Sequence, residues 1–377
     1  MKMENTHMTH GTGEDSYART SVIQADSISK AIPVVKEALE GVYSKMTPKC
    51  VMVAELGCAS GPNALMLLPE IIDITYKTYM INKSKYRPEI HMFLNDLPTN
   101  DFNTISASLP TVHEELNKLR DGDLGPYFIS ATPGSYYKRL FPTDFLHFVH
   151  SANSAHWLSQ VPKRLIKENG EYINKGNVYI AETSPPEVIE AYREQYKEDL
   201  TTFLKCRGQE IVKGGGMVLN IMATTESHKP HHYFMEAAIN TALKDMASQG
   251  LIEQEKLDSL DIPFYPPTEE EVRRYVESEG SFHVEEIKNF TLDWDVPTTK
   301  DLENNGHKSK GGTEMDVYER AKYATAPIKS GTECIIASHF GDHIINELYS
   351  RVTNIVAKRL SCGKLETFHH AISLIKK

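Results

Sequence analysis

The sequence predicts an α/β fold: a largely parallel sheet with helices on both faces and a mostly helical cap. Three observations predict it. Short apolar runs bounded by turn residues alternate with helix-length amphipathic stretches through the first half of the chain. Strand-like runs then stop between about residues 225 and 280, and no internal repeat interrupts the pattern. In chain order, VMVAEL at residues 51–56 has the pattern of a buried strand and residues 64–77 that of a helix. IHMFL at 90–94, YFIS at 127–130 and FLHFV at 145–149 repeat the strand pattern. A helix is expected from Pro186 to about Val212, stopped by Gly214, Gly215 and Gly216, with a strand over 217–222. Residues 225–280 read as helical, broken by IPFYPP at 262–267. Residues 282–290 are a further strand, 301–313 a polar exposed loop, and a long helix follows His339, Phe340 and Gly341 before a closing strand at 369–375. The division expected is a cofactor-binding core over 1–224 whose N-terminal segment covers the site, a helical cap over 225–280 and a core strand over 281–294. Cap and exposed loop occupy 295–340, and the terminal helix and strand of the core 341–377.

Composition narrows the function classes. Across 377 residues, 41 Lys and Arg stand against 51 Asp and Glu, a net charge of −10, which speaks against nucleic acid as a partner. No apolar run approaches the roughly 18–20 residues of a membrane span, and the N-terminus has no apolar stretch of a secretory signal. Cys50, Cys58, Cys206, Cys334 and Cys362 are scattered and form no C-x-x-C, so reduced thiols and a cytoplasmic protein are expected. His147, His150, His228, His231 and His232 lack carboxylate or thiolate partners at ligand spacing and read as structural.

The most informative stretch is ELGCASGPN at 55–63. An acidic residue, Glu55, ends a strand, and Gly57 and Gly61 frame a sharp turn into a helix, where backbone can approach a ligand at the carboxyl edge of the sheet. The spacing is neither G-x-G-x-x-G nor a phosphate loop with G-K-[ST], so a pyrophosphate or triphosphate is a poor fit. S-adenosylmethionine, whose cationic amino group can meet a carboxylate, fits better. The second strand ends in Asp96, placed to accept the two ribose hydroxyls of an adenosine.

Further stretches follow in order: GEDSYA at 13–18, FLNDLP at 93–98, NDFN at 100–103, PGSYY at 133–137, RLFP at 139–142, HWLSQVP at 156–162, NKG at 174–176 and HFG at 339–341. Together with ELGCASGPN they resemble the plant SABATH methyltransferases. That family comprises carboxyl methyltransferases of salicylate, benzoate, jasmonate and indole-3-acetate, and N-methyltransferases of the caffeine pathway. The resemblance implies a Rossmann-like class I methyltransferase sheet, S-adenosylmethionine as cofactor, a small-molecule carboxylic acid as acceptor, a role in plant specialised metabolism and a homodimer. It places Tyr17, Cys58, Asn63, Asp96, Leu97, Ser135 and Tyr136 at cofactor-binding positions, with Ser21 and Glu55 in the same shell. Gln24 and Trp157 match the catalytic pair that hydrogen-bonds the acceptor's carboxylate, and Asn153, His156, Glu236 and Tyr265 are expected in its pocket. A family metal position, for Mg2+, falls on Asn174, Asp258, Leu260 and Asp261, with Leu260 where Phe is usual and Asp261 where Asn is usual.

Other departures bear on the acceptor. Tyr136 stands where Phe is commoner, Thr20 where Asn is usual, and Asn153 where Tyr or Phe is common. Glu236 falls near a position that is Trp in salicylate-type enzymes. Losing two aromatic walls implies a bulkier or more polar acceptor. An ionised Glu236 in the pocket would repel a second negative charge and favour an amine-bearing substrate; the other reading puts it on the solvent face of a cap helix. A carboxylate, with a pKa of roughly 4, is already a nucleophile at neutral pH. Positioning and removal of water then suffice, with no general base. Three functions are weighed: O-methylation of a small acid, N-methylation of a xanthine-like heterocycle, and a non-catalytic homologue that only binds small molecules.

Overall fold

Val51, Val53, Ala54, Glu55 and Leu56 are all buried in the first strand, and both faces of that strand are covered, as parallel strands between helices require. The computed structural model describes residues 6–82, 87–119, 125–225, 233–294 and 315–377. Among these, seven strands form one sheet: β1 (Cys50–Leu56), β2 (Glu89–Asp96), β3 (Tyr127–Pro133), β4 (Leu146–Ala152), β5 (Ile211–Ala223), β6 (Phe282–Asp293) and β7 (Glu366–Lys376). Their order is β3-β2-β1-β4-β5-β7-β6. The first five run parallel, and β7 lies antiparallel between β5 and β6. The chain works outward from β1 to β3 and outward the other way from β4, so the order reverses between β1 and β4. Ligands of open parallel sheets bind at such a reversal, beyond the carboxyl ends of the strands.

The helices are α1 (Tyr17–Thr20), α2 (Val22–Lys45), α3 (Leu68–Ile81), α4 (Phe102–Leu119), α5 (Pro186–Glu210), α6 (Phe234–Ser248), α7 (Gln254–Asp258), α8 (Glu269–Glu279), α9 (Val317–Phe340) and α10 (Ile345–Leu360). One side of the sheet is sealed by α2 and α3, whose Ala31, Val35, Leu39, Leu68 and Ile71 are almost wholly buried. The other side carries α5 and, beyond it, a layer in which α10 packs on α6 and α9. Among the described residues no helix is long and apolar enough to cross a membrane.

The sequence reading needs three adjustments. The helix from Pro186 ends at Glu210, and the glycine run lies inside β5 rather than before it. A Cβ on Gly215 would meet the His147 carbonyl at 2.9 Å, and one on Gly216 would meet Val42 at 2.8 Å. The glycines are therefore needed for close approach beside β4, where the register shifts between Leu146 and Phe148. The helix expected over 64–77 is a 3-10 turn at Pro62–Leu65 followed by α3, because Pro69 sets the first turn of α3. The stretch read as cap and loop contains a 24-residue helix, α9, which takes Pro327 in its interior. The polar stretch 301–313 and His228, His231 and His232 lie outside the described residues.

Candidate active site

Two adjoining cavities open at the carboxyl ends of the strands. The larger, about 400 Å³, is bounded by the turns after β1, β2 and β3 and by the N-terminal segment. Gly57 makes its tightest turn. Its φ is +72°, a Cβ there would lie 2.4 Å from the Ser154 side chain, and its N–H and that of Cys58 both donate to the Asn95 carbonyl at 2.9 Å. The loop is thereby drawn onto the end of β2, where Asp96 stands. One carboxylate oxygen of Asp96 accepts the Ala59 N–H at 2.6 Å and the other the Leu97 N–H at 2.7 Å. Burial pushes the Asp96 carboxyl up to about 6 against those two bonds. Fixed by backbone, it keeps lone pairs free for the paired hydroxyls of a ribose. Tyr17, Leu97, Ser135 and Tyr136 line the same cavity. The Tyr136 hydroxyl donates to Ser154 O at 3.0 Å and that of Tyr137 to Trp157 O at 2.6 Å, and the two rings meet edge to face at 4.8 Å. Aromatic faces held this rigidly suit a cation.

Four residues expected at the cofactor stand behind the cavity wall instead. Glu55 is buried and pairs with His150 Nδ1 at 2.7 Å. The Cys58 thiol is buried and turned to Ala59 O at 3.4 Å, while Gly57 and Ala59 on either side line the cavity. Asn63 donates to both the carbonyl and hydroxyl oxygens of Ser21 at 2.9 Å, tying the turn after β1 to the start of α2. In this structure Ser21, Glu55, Cys58 and Asn63 bond to neighbouring protein groups and do not line the larger cavity.

The inner cavity, about 70 Å³, shares Met8, Tyr17, Asn153 and Trp157 with the larger one. Gln24, in the first turn of α2, and His156 belong to it. His156 Nδ1 accepts the Met222 N–H at 3.1 Å, which leaves the ring proton on Nε2. Burial holds the ring at about 3, so it is a neutral donor and no proton acceptor at physiological pH. Asn153, at φ +53°, is held by its N–H to the Asn220 carbonyl at 2.7 Å. Trp157 leans edge to face on Phe264, with ring centroids 5.6 Å apart. The Gln24 side-chain oxygen is buried with no partner among the described residues.

Glu236 corrects the solvent-facing reading. It sits in the first turn of α6, is 7% exposed and lines the inner cavity, and its Oε2 has no partner among the described residues. Burial pushes its carboxyl up to about 8, so at pH 7 it is mostly protonated, and the repulsion expected of an ionised side chain is absent. Tyr265 is corrected the other way. Its hydroxyl donates to Glu271 at 3.0 Å, its ring lies 5.3 Å from that of Tyr196, and it lines neither cavity. In the extended 262–267 stretch successive side chains point to opposite sides, and Phe264 takes the cavity wall. Sequence reasoning also missed Met235, Ile239, Trp294, Ile328, Thr332 and His369, apolar or commonplace residues that carry no motif.

The residues expected to hold Mg2+ do not fit it. Asn174 donates to Asp261 at 2.9 Å and accepts from the Ser184 hydroxyl at 2.7 Å, Asp258 accepts the Gly176 N–H at 2.8 Å, and Leu260 is buried apolar surface. Burial raises Asp261 to about 7. A hard cation asks for about six oxygen ligands, whereas here Asn174 is spent on Asp261 and Ser184, and Asp258 on backbone and Gln254. No group of three or more His, Cys, Asp or Glu suited to a metal occurs among the described residues.

The family described as SAM dependent carboxyl methyltransferase matches residues 3–377. A probable jasmonic acid carboxyl methyltransferase from Theobroma cacao is 37% identical over 384 residues, covering 100% of this chain and 99% of the relative. A 3,7-dimethylxanthine N-methyltransferase from Coffea arabica is 38% identical over 380 residues, covering 99% of this chain and 97% of the relative. A solved loganic acid methyltransferase with SAH superposes with a TM-score of 0.81 at 27% identity, covering 98% of each chain.

Proposed function

The chain belongs to the SAM-dependent carboxyl methyltransferases, and from that premise we propose that it converts a small organic acid to its methyl ester. The observation that carries this reading is the pair of adjoining cavities with common walls at Tyr17, Asn153 and Trp157. S-adenosylmethionine supplies the methyl group, already activated on a sulfonium sulfur. Asp96, Ser135 and Tyr136 bind that cofactor in the larger cavity, and Gln24 and Trp157 orient the acceptor's carboxylate in the inner one. Both are neutral donors, and among the described residues no Lys or Arg lines the inner cavity. The attacking oxygen is thus positioned without a cation that would quench its nucleophilicity, and the apolar walls strip its water. His156 donates through Nε2 and takes no proton.

N-methylation of a xanthine-like heterocycle is the second reading, supported by the Coffea relative. It requires loss of a ring proton, for which His156, held at about 3, is badly suited. Purified protein with methyl-labelled S-adenosylmethionine and a panel of acids and xanthines tests both. Label in a base-labile ester supports the proposal, and label in a base-stable product the second reading. Cofactor binding without transfer to any member favours a non-catalytic binder. A homodimer and a cytoplasmic location complete the proposal on the strength of the resemblance; light scattering and fractionation of plant tissue test them.

A further inference from the structure

The inner cavity holds one group that carboxyl recognition leaves unused. Glu236 lines this cavity together with Ile23, Met222, Met235, Ile239, Phe264 and Trp294, and its Oε2 is unpartnered among the described residues. It belongs to the inner cavity alone, whereas Trp157 stands where the two cavities join. A buried carboxyl costs free energy unless a partner meets it, and among the described residues the cavity's lining offers no Lys or Arg. A ligand can supply that partner. We propose that Glu236 selects acceptors that carry, besides the carboxylate held by Gln24 and Trp157, a protonated basic nitrogen, which it binds as an ion pair. This rests on the carboxyl-methylation reading and deepens it.

Charge accounting supports the choice. An acid with an ammonium group is neutral overall, so it approaches a chain of net charge −10 without repulsion. Once inside, each of its charges has a counterpart: the carboxylate faces the cofactor's sulfonium, and the ammonium faces Glu236. A dicarboxylic acid would bury a second anion with no cation to meet it among the described lining, and an alkyl acid would leave the carboxyl unmet.

Glu236 is also the group whose titration the cavity would report. Tyr233 beside it, Tyr179, and Tyr192 on α5 face it, and burial pushes all three phenols well above their usual range. His156 and His369 line the same cavity and are held neutral by burial. With Glu236 at about 8, an ammonium partner gains as pH rises from 7 to 8, where the carboxyl gives up its proton more readily.

The test compares acids that differ only at the distal end: 6-aminohexanoate, 6-hydroxyhexanoate, heptanoate and heptanedioate, with the para-aminomethyl, hydroxymethyl, methyl and carboxy benzoates as a rigid series. The expected result is a preference in kcat/KM for the ammonium member over the methyl member of about 10- to 100-fold, rising between pH 7 and 8. In Glu236→Gln, and in Glu236→Met as a second variant, the ratio falls toward one. Affinity for S-adenosylhomocysteine, read by calorimetry, serves as the check that each variant is folded. Acids methylated without an ammonium preference, or a preference that survives Glu236→Gln, overturn this inference alone. No transfer to any acid, with the cofactor product still bound, overturns the carboxyl-methylation reading and this inference with it.

Discussion

The two cavities are built on opposite plans. In the larger one the polar groups beside the strand ends are anchored by backbone: Asp96 by the Ala59 and Leu97 N–H groups, Tyr136 and Tyr137 by the Ser154 and Trp157 carbonyls. The inner one leaves polar atoms unmet among the described residues, Gln24 Oε1 and Glu236 Oε2. The larger cavity comes from short turns at strand ends, and the inner one from residues spread between Ile23 and His369. A rigid, satisfied site suits a ligand that never changes. A site with unmet atoms on packed helices can be retuned one residue at a time, without disturbing the sheet.

Breaking the anchored side should have the largest effect. Asp96→Ala removes the acceptor of two backbone N–H groups and of the ribose hydroxyls together, so affinity for S-adenosylhomocysteine should fall by about 100-fold or more. Calorimetry reads it, and a loss under about fivefold would show that Asp96 does not hold the cofactor. Next comes the shared wall: Trp157→Phe keeps the ring contact with Phe264 but loses the indole donor. It should lower kcat/KM for the acid by about tenfold while leaving cofactor affinity within about twofold. Equal loss of both would remove Trp157 from the acceptor side.

A smaller effect separates the cavities by pH. Glu236 titrates at about 8 in the folded chain against about 4.5 when unfolded, so its protonated form favours the folded state. That contribution is full below about 4.5 and is lost as pH rises to about 8. Asp96 and Asp261 have the same sign but are spent by about 6 and about 7. Glu236→Gln should therefore flatten the fall of Tm across the window from about pH 5 to 8, by a few degrees in a thermal melt, and above about pH 7 without overlap from Asp96 or Asp261. An unchanged slope would mean that Glu236 is ionised throughout. The smallest effect belongs to chelation: EDTA should leave both Tm and methyl transfer unchanged, since Asn174, Asp258 and Asp261 are occupied by one another and by backbone. A Tm that drops in EDTA and returns with Mg2+ would reverse that reading.

The same contrast explains what the sequence made legible. The strands and Asp96 rest on local signals, an acidic residue at a strand end and, after Glu55, glycines two and six positions on, whereas Leu97, Ser135 and Tyr136 are placed only by the resemblance; all four line the larger cavity. Their supports were harder, because Cys58 and Asn63 sit in the same motif and only side-chain direction separates them from Gly57 and Ala59. The inner cavity was legible only where the resemblance reached it, at Gln24, Asn153, His156 and Trp157. Whether Tyr265 or Phe264 faces it turns on the alternation of one extended segment. Glu236 turns on which face of α6 is buried. Helix α9 went unread because Pro327 and its mixed polarity hide the periodicity, yet Ile328 and Thr332 on it close the cavity.

Met8, Tyr17, Asn153 and Trp157 belong to both walls, and the N-terminal segment that carries the first two is fastened to α9 through Thr9 N–H to Ser330 O at 2.9 Å and Thr20 to the Ser330 hydroxyl at 2.7 Å. Partitions held in common make the two ligands thermodynamically linked. Whichever arrives first meets side chains that the second also touches, and by reciprocity any factor by which one changes the other's affinity acts equally in both directions.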